Sequence, residues 1–216
     1  MKNIGSINKI IAKAKENKII IQEIERNKLN EISETKNHQG VIAIVPPFNY
    51  VEIEDIIEYA KEKKEEPFII ILDGIEDPHN LGSIIRTAEI SGAHGVIIPK
   101  RRAASVNGTV NKSSAGAVEH MKIARVTNIT ETIKKLKEEG LWIIGTDMNA
   151  KEKYYNENLK GPVGLVIGGE GFGISRLVKE NCDILIKIPM YGKVSSLNAG
   201  VSAGIIMYEI VKQREI

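Results

Sequence analysis

The run Gly164-Leu165-Val166-Ile167-Gly168-Gly169-Glu170-Gly171-Phe172-Gly173 decides how this chain is read. An apolar strand breaks into a burst of glycines gathered around one carboxylate. Further on, Ile188-Pro189-Met190 closes a second apolar run, and Ser195-Ser196-Leu197-Asn198-Ala199-Gly200 makes a polar turn that opens the last helix. Three strand or turn ends are built to meet.

Working outward, the same unalternating texture recurs at Phe68–Leu72, Val96–Ile98, Leu141–Ile144, Val163–Ile167 and Ile184–Ile188. A strand apolar at every position is buried on both faces, which points to a parallel sheet with helices on either side. About five or six strands are expected, with Ile123–Val126 as an extra member. In such sheets ligands sit beyond the carboxyl ends of the strands. The glycine burst after Ile167 is at one of those ends.

Composition bounds the rest. With 216 residues, 42% of them hydrophobic, the chain can bury a full core, and one large α/β domain with a small appendage is expected. Lys+Arg 30 against Asp+Glu 28 leaves a net charge of only +2, so any basic surface must be local. The one cysteine, Cys182, excludes an intramolecular disulfide framework and fits a reducing compartment. Met1-Lys2-Asn3-Ile4 lacks the apolar core of a signal peptide, and no stretch reaches the ~18 apolar residues of a membrane span. A cytoplasmic location is expected.

Residues 1–45 read as a small α/β unit. Ile7, Ile10, Ile11 and Ala14 recur at helical spacing. Ile19-Ile20-Ile21 is expected as a short strand, Lys28–Ile32 as a helical turn, and Val41–Val45 as a strand closed by Pro46-Pro47. The join, 46–66, carries a helix on Val51, Ile53, Ile56, Ile57 and Ala60 that ends in the mixed charge run 61–66, read as a solvated helix end. The third segment is 67–216.

Familiar nucleotide motifs fail on inspection. Gly168 to Gly173 has the Walker A glycine spacing, but Ile174 stands where the lysine must be. A dinucleotide fingerprint would need its third glycine at Ile174, and Glu170 would repel a pyrophosphate. His38, His79, His94 and His120 show no paired ligand spacing with each other or with Cys182, so no metal is expected. There is no Gly-x-Ser-x-Gly elbow.

The stretch Asp77-Pro78-His79-Asn80-Leu81-Gly82-Ser83-Ile84-Ile85-Arg86-Thr87-Ala88 explains more. Asp77-Pro78 makes a turn, and Asn80 can cap a helix whose apolar members are Leu81, Ile84, Ile85 and Ala88. Asn80 and Arg86 lie roughly 600° apart on a helix, so they share no stripe. They converge only if Asn80 precedes the helix and Arg86 points back over it. Taken singly, Asn80 would be a cap and Arg86 a solvated charge.

Together, the stretch from Asp77 to Ala88, Val166–Gly171, and Ile188-Pro189-Met190 with Ser195-Ser196-Leu197-Asn198 resemble the three motifs of the SpoU (TrmH) class of knotted RNA ribose methyltransferases. The match runs in order from 67 to 212. Gly92-Ala93-His94-Gly95, Pro99-Lys100-Arg101-Arg102 and His38-Gln39-Gly40-Val41 are similar to the branch that methylates guanosine 2'-hydroxyls of 23S rRNA. The resemblance implies an α/β fold with a deep C-terminal trefoil knot that holds S-adenosylmethionine in a bent shape. Thr146, Gly168, Ile188, Met190 and Leu197 would line the cofactor, Arg86 would be catalytic, and Asn80, Glu170, Ser196 and Asn198 would complete the site.

Further expectations follow from that resemblance. Activation of the ribose hydroxyl falls to Arg86 with the substrate's phosphate, without a metal. Lys100, Arg101 and Arg102, with Lys112, Lys122 and Arg125 near in sequence, would bind RNA, although charge alone allows an ordinary solvated loop. The small residues Ala199, Gly200, Ser202, Ala203 and Gly204 fit either packing on the chain's own sheet or a homodimer through the last helix and the helix of Arg86. The branch expects a complete small RNA-binding domain ahead of the sheet, and the opening strand and helix of that domain are missing before Met1, so residues 1–45 look truncated. A tRNA methyltransferase of the same class, a catalytically silent RNA-binding relative and a nucleotide-binding α/β enzyme are the alternatives.

Overall fold

The computed structural model describes residues 4–33, 38–44 and 48–215. The expected strand end at Val45, the Pro46-Pro47 turn and the opening Met1-Lys2-Asn3 lie outside these residues. The chain forms two compact units, Met1–Pro47 and Phe48–Ile216.

The first unit holds helices α1 (Ile4–Glu16) and α2 (Arg26–Ile32). Among its described residues there is no strand, so the strands expected at 19–21 and 41–44 are corrected. The reason is the lack of a ladder partner: a run of three isoleucines becomes a strand only when its N–H and C=O groups are paired. Ile20 is 95% exposed and Ile44 91%. His38 organises a local turn, accepting from the Gly40 N–H at 2.9 Å and meeting the Asn30 side chain at 3.0 Å.

The second unit is a seven-stranded sheet. Its strands are β1 (Phe68–Asp73), β2 (Gly95–Pro99), β3 (Ile123–Val126), β4 (Trp142–Thr146), β5 (Glu152–Lys153), β6 (Val163–Gly168) and β7 (Ile184–Lys187). They lie in the order β3-β2-β1-β6-β4-β7-β5, every neighbouring pair parallel. Each long apolar run in the sequence is a strand; β5, two exposed charged residues, had no apolar signal.

Both faces of the sheet are covered, as the runs require. The period of two along β1 sends Phe68, Ile70 and Leu72 into one core and Ile69 and Ile71 into the other. The first core is roofed by α4 (Pro78–Ile90), the short α5 (Gly108–Ser113) and α8 (Ala199–Glu215), through Leu81, Ile84, Ile85, Val110, Ala203, Ile206 and Met207. The second is covered by α3 (Ile53–Lys63), α6 (Ile129–Glu138) and α7 (Arg176–Asn181). Helix α3 starts on a reciprocal capping box between Glu52 and Asp55 and buries Ile56, Ile57 and Ala60, so this helix of the 46–66 segment packs on the sheet.

Two close approaches fix α8. A Cβ on Gly200 would fall 2.2 Å from the Ser83 hydroxyl oxygen, so the absence of a side chain there lets α8 lie against α4. At the far end the Arg214 guanidinium donates to the carbonyls of Glu66 at 3.0 Å, Pro67 at 3.1 Å and Gly161 at 2.7 Å. It thereby ties the last helix to the chain entering β1 and β6.

Candidate active site

The site is assembled at the carboxyl ends of the strands. Pro78 opens α4, where its missing N–H costs nothing. The Asp77 carboxylate caps the helix, accepting from the N–H groups of His79 at 3.1 Å and Asn80 at 3.3 Å. The cap expected at Asn80 is therefore corrected. With Asp77 filling that role, the Asn80 amide, only 8% exposed, turns to other partners.

Those partners are Glu170 and Asn198. Asn80 Nδ2 donates to Glu170 Oε1 at 3.1 Å, while Asn198 Nδ2 donates to Asn80 Oδ1 at 2.7 Å and to Glu170 Oε1 at 2.9 Å. Asn198 Oδ1 also accepts from the N–H groups of Gly200 at 2.9 Å and Val201 at 3.3 Å, capping α8. One triangle of amides and carboxylate thus joins the start of α4, the loop after β6 and the start of α8.

The glycines serve the loop itself. Gly169 and Gly173 form an antiparallel bridge, the Gly173 N–H donating to the Gly169 carbonyl at 2.9 Å. A Cβ on Gly168 would fall 2.1 Å from the Gly173 carbonyl carbon, and one on Gly169 would fall 2.1 Å from the Gly74 oxygen. The missing side chains at these two positions thus serve the close passage of the chain's own backbone.

Beside the triangle lies a pocket of about 720 Å³. Thr146, Gly168, Glu170, Ile188, Met190, Ser196, Leu197 and Asn198 all line it. The Thr146 hydroxyl donates to the Val166 carbonyl at 3.1 Å, which fixes its orientation. Asn80 stands behind the wall, bonded to two lining residues. Arg86 is elsewhere: it is exposed on α4, off the pocket lining, and has no side-chain partner among the described residues. Lys100, Arg101 and Arg102 stand in solvent just past β2, at the same end of the sheet as the pocket. There the Arg125 guanidinium donates to the Lys100 carbonyl at 3.1 Å.

Sequence reasoning missed several lining residues, among them Asp147, Met148, Phe172 and Lys179. Asp147 follows Thr146 at a strand end, a signal that could have found it; Lys179, on α7, carried none. The two form an ion pair. Burial pushes the Asp147 carboxyl up, but the Lys179 ammonium and the Asn149 N–H together hold it below its ordinary value. Burial pushes the Cys182 thiol up to about 12, so it supplies no nucleophile near neutral pH. Among the described residues no group of three or more His, Cys, Asp or Glu side chains is gathered to hold a metal ion, and no helix is long and apolar enough to cross a membrane.

A parallel sheet with a built pocket and a polar triangle at its carboxyl edge defines an α/β protein with a ligand site at the strand ends. The chain belongs to the SpoU rRNA methylase family, whose model matches residues 67–208, and is an RNA methyltransferase of that family. A second model, for RNA 2'-O ribose methyltransferase substrate binding, matches residues 2–51. YacO of Bacillus subtilis (strain 168), named for the TrmH family of tRNA/rRNA methyltransferases, is 52% identical over 210 residues, covering 97% of this chain and 84% of its own. Among solved structures, the SpoU methyltransferase AviRb from Streptomyces viridochromogenes, in complex with the cofactor AdoMet, is 34% identical with a TM-score of 0.66. That match covers 70% of this chain and 62%, less than two thirds, of AviRb. An AdoMet-bound rRNA methyltransferase from Sinorhizobium meliloti shares the fold at TM-score 0.76 and 24% identity, over 96% of this chain and 77% of its own.

Proposed function

We propose that this chain transfers a methyl group from S-adenosylmethionine to the 2'-hydroxyl of an RNA ribose, on a guanosine of 23S rRNA. The observation that carries this reading is the Asn80–Glu170–Asn198 triangle at the edge of a pocket walled by Ile188, Met190 and Leu197, in a chain of the SpoU family. The fit to the cofactor supports it. A volume of about 720 Å³ suits a nucleoside with a short tail, and apolar walls suit a purine. Glu170 disfavours a phosphate group beside it and favours a cation, whereas the charge of Asp147 is offset by its pairing with Lys179. AviRb, similar to this chain, was solved with that cofactor.

When bound, the cofactor supplies a methyl group on a positively charged sulfur. Thr146, Gly168, Ile188, Met190 and Leu197 would hold it, and Ser196 stands on the same wall. Asn80 and Asn198 hold one Glu170 oxygen in place by two N–H donors. The Arg86 guanidinium orients the substrate phosphate and stabilises the negative charge that grows as the hydroxyl loses its proton. Because Arg86 is exposed on α4 and apart from its own pocket, the reading includes a homodimer through α4 and α8 in which each site is completed by both copies. Exposed Ile90, Val201 and Tyr208 on these two helices support it.

Lys100, Arg101 and Arg102 bind RNA phosphates, and the substrate-binding match over 2–51 supports RNA selection by the first unit. The reading also carries the trefoil knot, with which the insertion of β6 between β1 and β4 is consistent, and a cytoplasmic site of action.

The test is ribose-methylation mapping of 23S rRNA with and without the protein, together with Arg86→Ala. Loss of one guanosine mark, and abolition of transfer by Arg86→Ala with cofactor affinity intact, is the expected result. A tRNA product would move the substrate, and transfer at the parental rate by the variant would remove Arg86 from the mechanism.

A further inference from the structure

Phenylalanine is scarce here: of three, Phe68 is buried and Phe48 half-buried, while Phe172 is 99% exposed. It sits at the tip of the glycine loop. The Gly169–Gly173 bridge closes that loop, Gly171 and Gly173 take φ of +85° and +65°, and the ring is carried two residues beyond Glu170. The surroundings are as unusual as the ring. Phe172 lines the pocket together with Met148, Met190 and Leu197, exposed by 56%, 37% and 37%. Single exposed apolar side chains are ordinary, but four around one pocket mouth form a patch that wants an occupant.

We infer that Phe172 is the stacking platform for the base of the nucleotide being methylated. This rests on the function proposed above. In a nucleotide the base and the 2'-hydroxyl are carried by adjacent ribose carbons. A hydroxyl brought to the Glu170 edge therefore leaves its base within one sugar ring of that edge. The pocket interior belongs to the cofactor, so the base must rest on the rim. RNA-modifying proteins bind bases splayed out of the stack, on aromatic faces. Phe172 is the pocket-lining aromatic side chain, and its full exposure leaves the ring face open. A flat apolar ring carries no hydrogen-bond code. It therefore grips any base, and discrimination among bases falls to polar neighbours.

The experiment follows methyl transfer from S-adenosylmethionine to an unmodified transcript of 23S rRNA, for the parent, Phe172→Ala and Phe172→Trp. Because Phe172 is 99% exposed, both variants fold with the parental melting temperature. Phe172→Ala raises the KM for RNA by about 5- to 150-fold, the factor that base–aromatic stacking supplies. Its affinity for S-adenosylmethionine by calorimetry is unchanged, and Phe172→Trp keeps the parental KM. Combining Phe172→Trp with Trp142→Phe removes the chain's one native tryptophan, at the opposite end of the sheet, and the fluorescence of the introduced indole is quenched as transcript is added. A parental KM for Phe172→Ala overturns the inference, as does a loss of cofactor affinity matching the rise in KM, which would make the ring a cofactor lid. A parent that binds no cofactor and methylates no RNA overturns the proposed function as well, so the two failures are told apart.

Discussion

Glu170 offers one oxygen to two amide donors: Asn80, buried at the head of α4, and Asn198, whose Nδ2 also donates to Asn80 while its Oδ1 caps α8. Asn80 is the buried member, and a buried polar group stripped of its partners carries its full desolvation cost, whereas Glu170 and Asn198 are exposed. The triangle was not legible in residue spacing: Asn80 alone reads as a cap, and only the resemblance joined it to residues 90 and 118 positions away. His94 shows the same dependence on burial, and here pH reads it out. Its ring is 1% exposed, Nδ1 accepts from the Phe68 N–H at 3.0 Å, and Nε2 meets Glu65 Oε2 at 3.1 Å. Burial lowers its pKa from 6.5 more than Glu65 raises it. The neutral ring is thus the form the fold favours. Stability is full above pH 6.5 and declines as pH falls below it, where the unfolded chain takes up a proton the folded ring resists, until the lowered folded value is passed. Urea midpoints measured from about pH 7.5 down to about pH 5 should fall, with a shallower slope in His94→Gln; equal slopes would clear His94.

At the scale of elements, the loop after β6 is held by backbone contacts that leave no room for a side chain. Gly168→Ala should destabilise the fold by about 1–3 kcal/mol, as forced overpacking does, and weaken cofactor binding. Gly161→Ala, with nothing within 4 Å of its new methyl and no positive φ, serves as the neutral control. Urea unfolding and calorimetry check both, and a Gly168→Ala protein with parental values would show that the loop yields freely. The long strands were legible because burial on both faces writes itself as an unbroken apolar run; β1 and β6 are fully buried except at their last residues. Where that cause was missing the reading failed. Ile19-Ile20-Ile21 is apolar but has no ladder partner, and β5 is a ladder with no apolar residue. At the pocket, the resemblance pointed to Thr146, Gly168, Ile188 and Leu197, whereas Lys179 reaches the pocket from a helix face that leaves no mark in the sequence.

For the whole molecule, the proposed homodimer makes a measurable claim: light scattering at micromolar concentration should give twice the chain mass of 23.9 kDa, and a monomer would leave Arg86 without a pocket to serve. The topology bears on how the chain comes into being. Strand β6 is the middle of the sheet, pairing from Phe68↔Val163 to Asp73↔Gly168 on one side and with β4 on the other. Yet it is sixth in the chain, after both of the strands it joins. A nascent chain leaving the ribosome therefore holds β1 and β4 with facing edges open. At synthesis rates of about 5–20 residues per second, the gap between Thr146 and Gly168 lasts about one to five seconds. For that interval the newborn protein carries two unpaired apolar strand edges, the surface that draws chaperones or other chains.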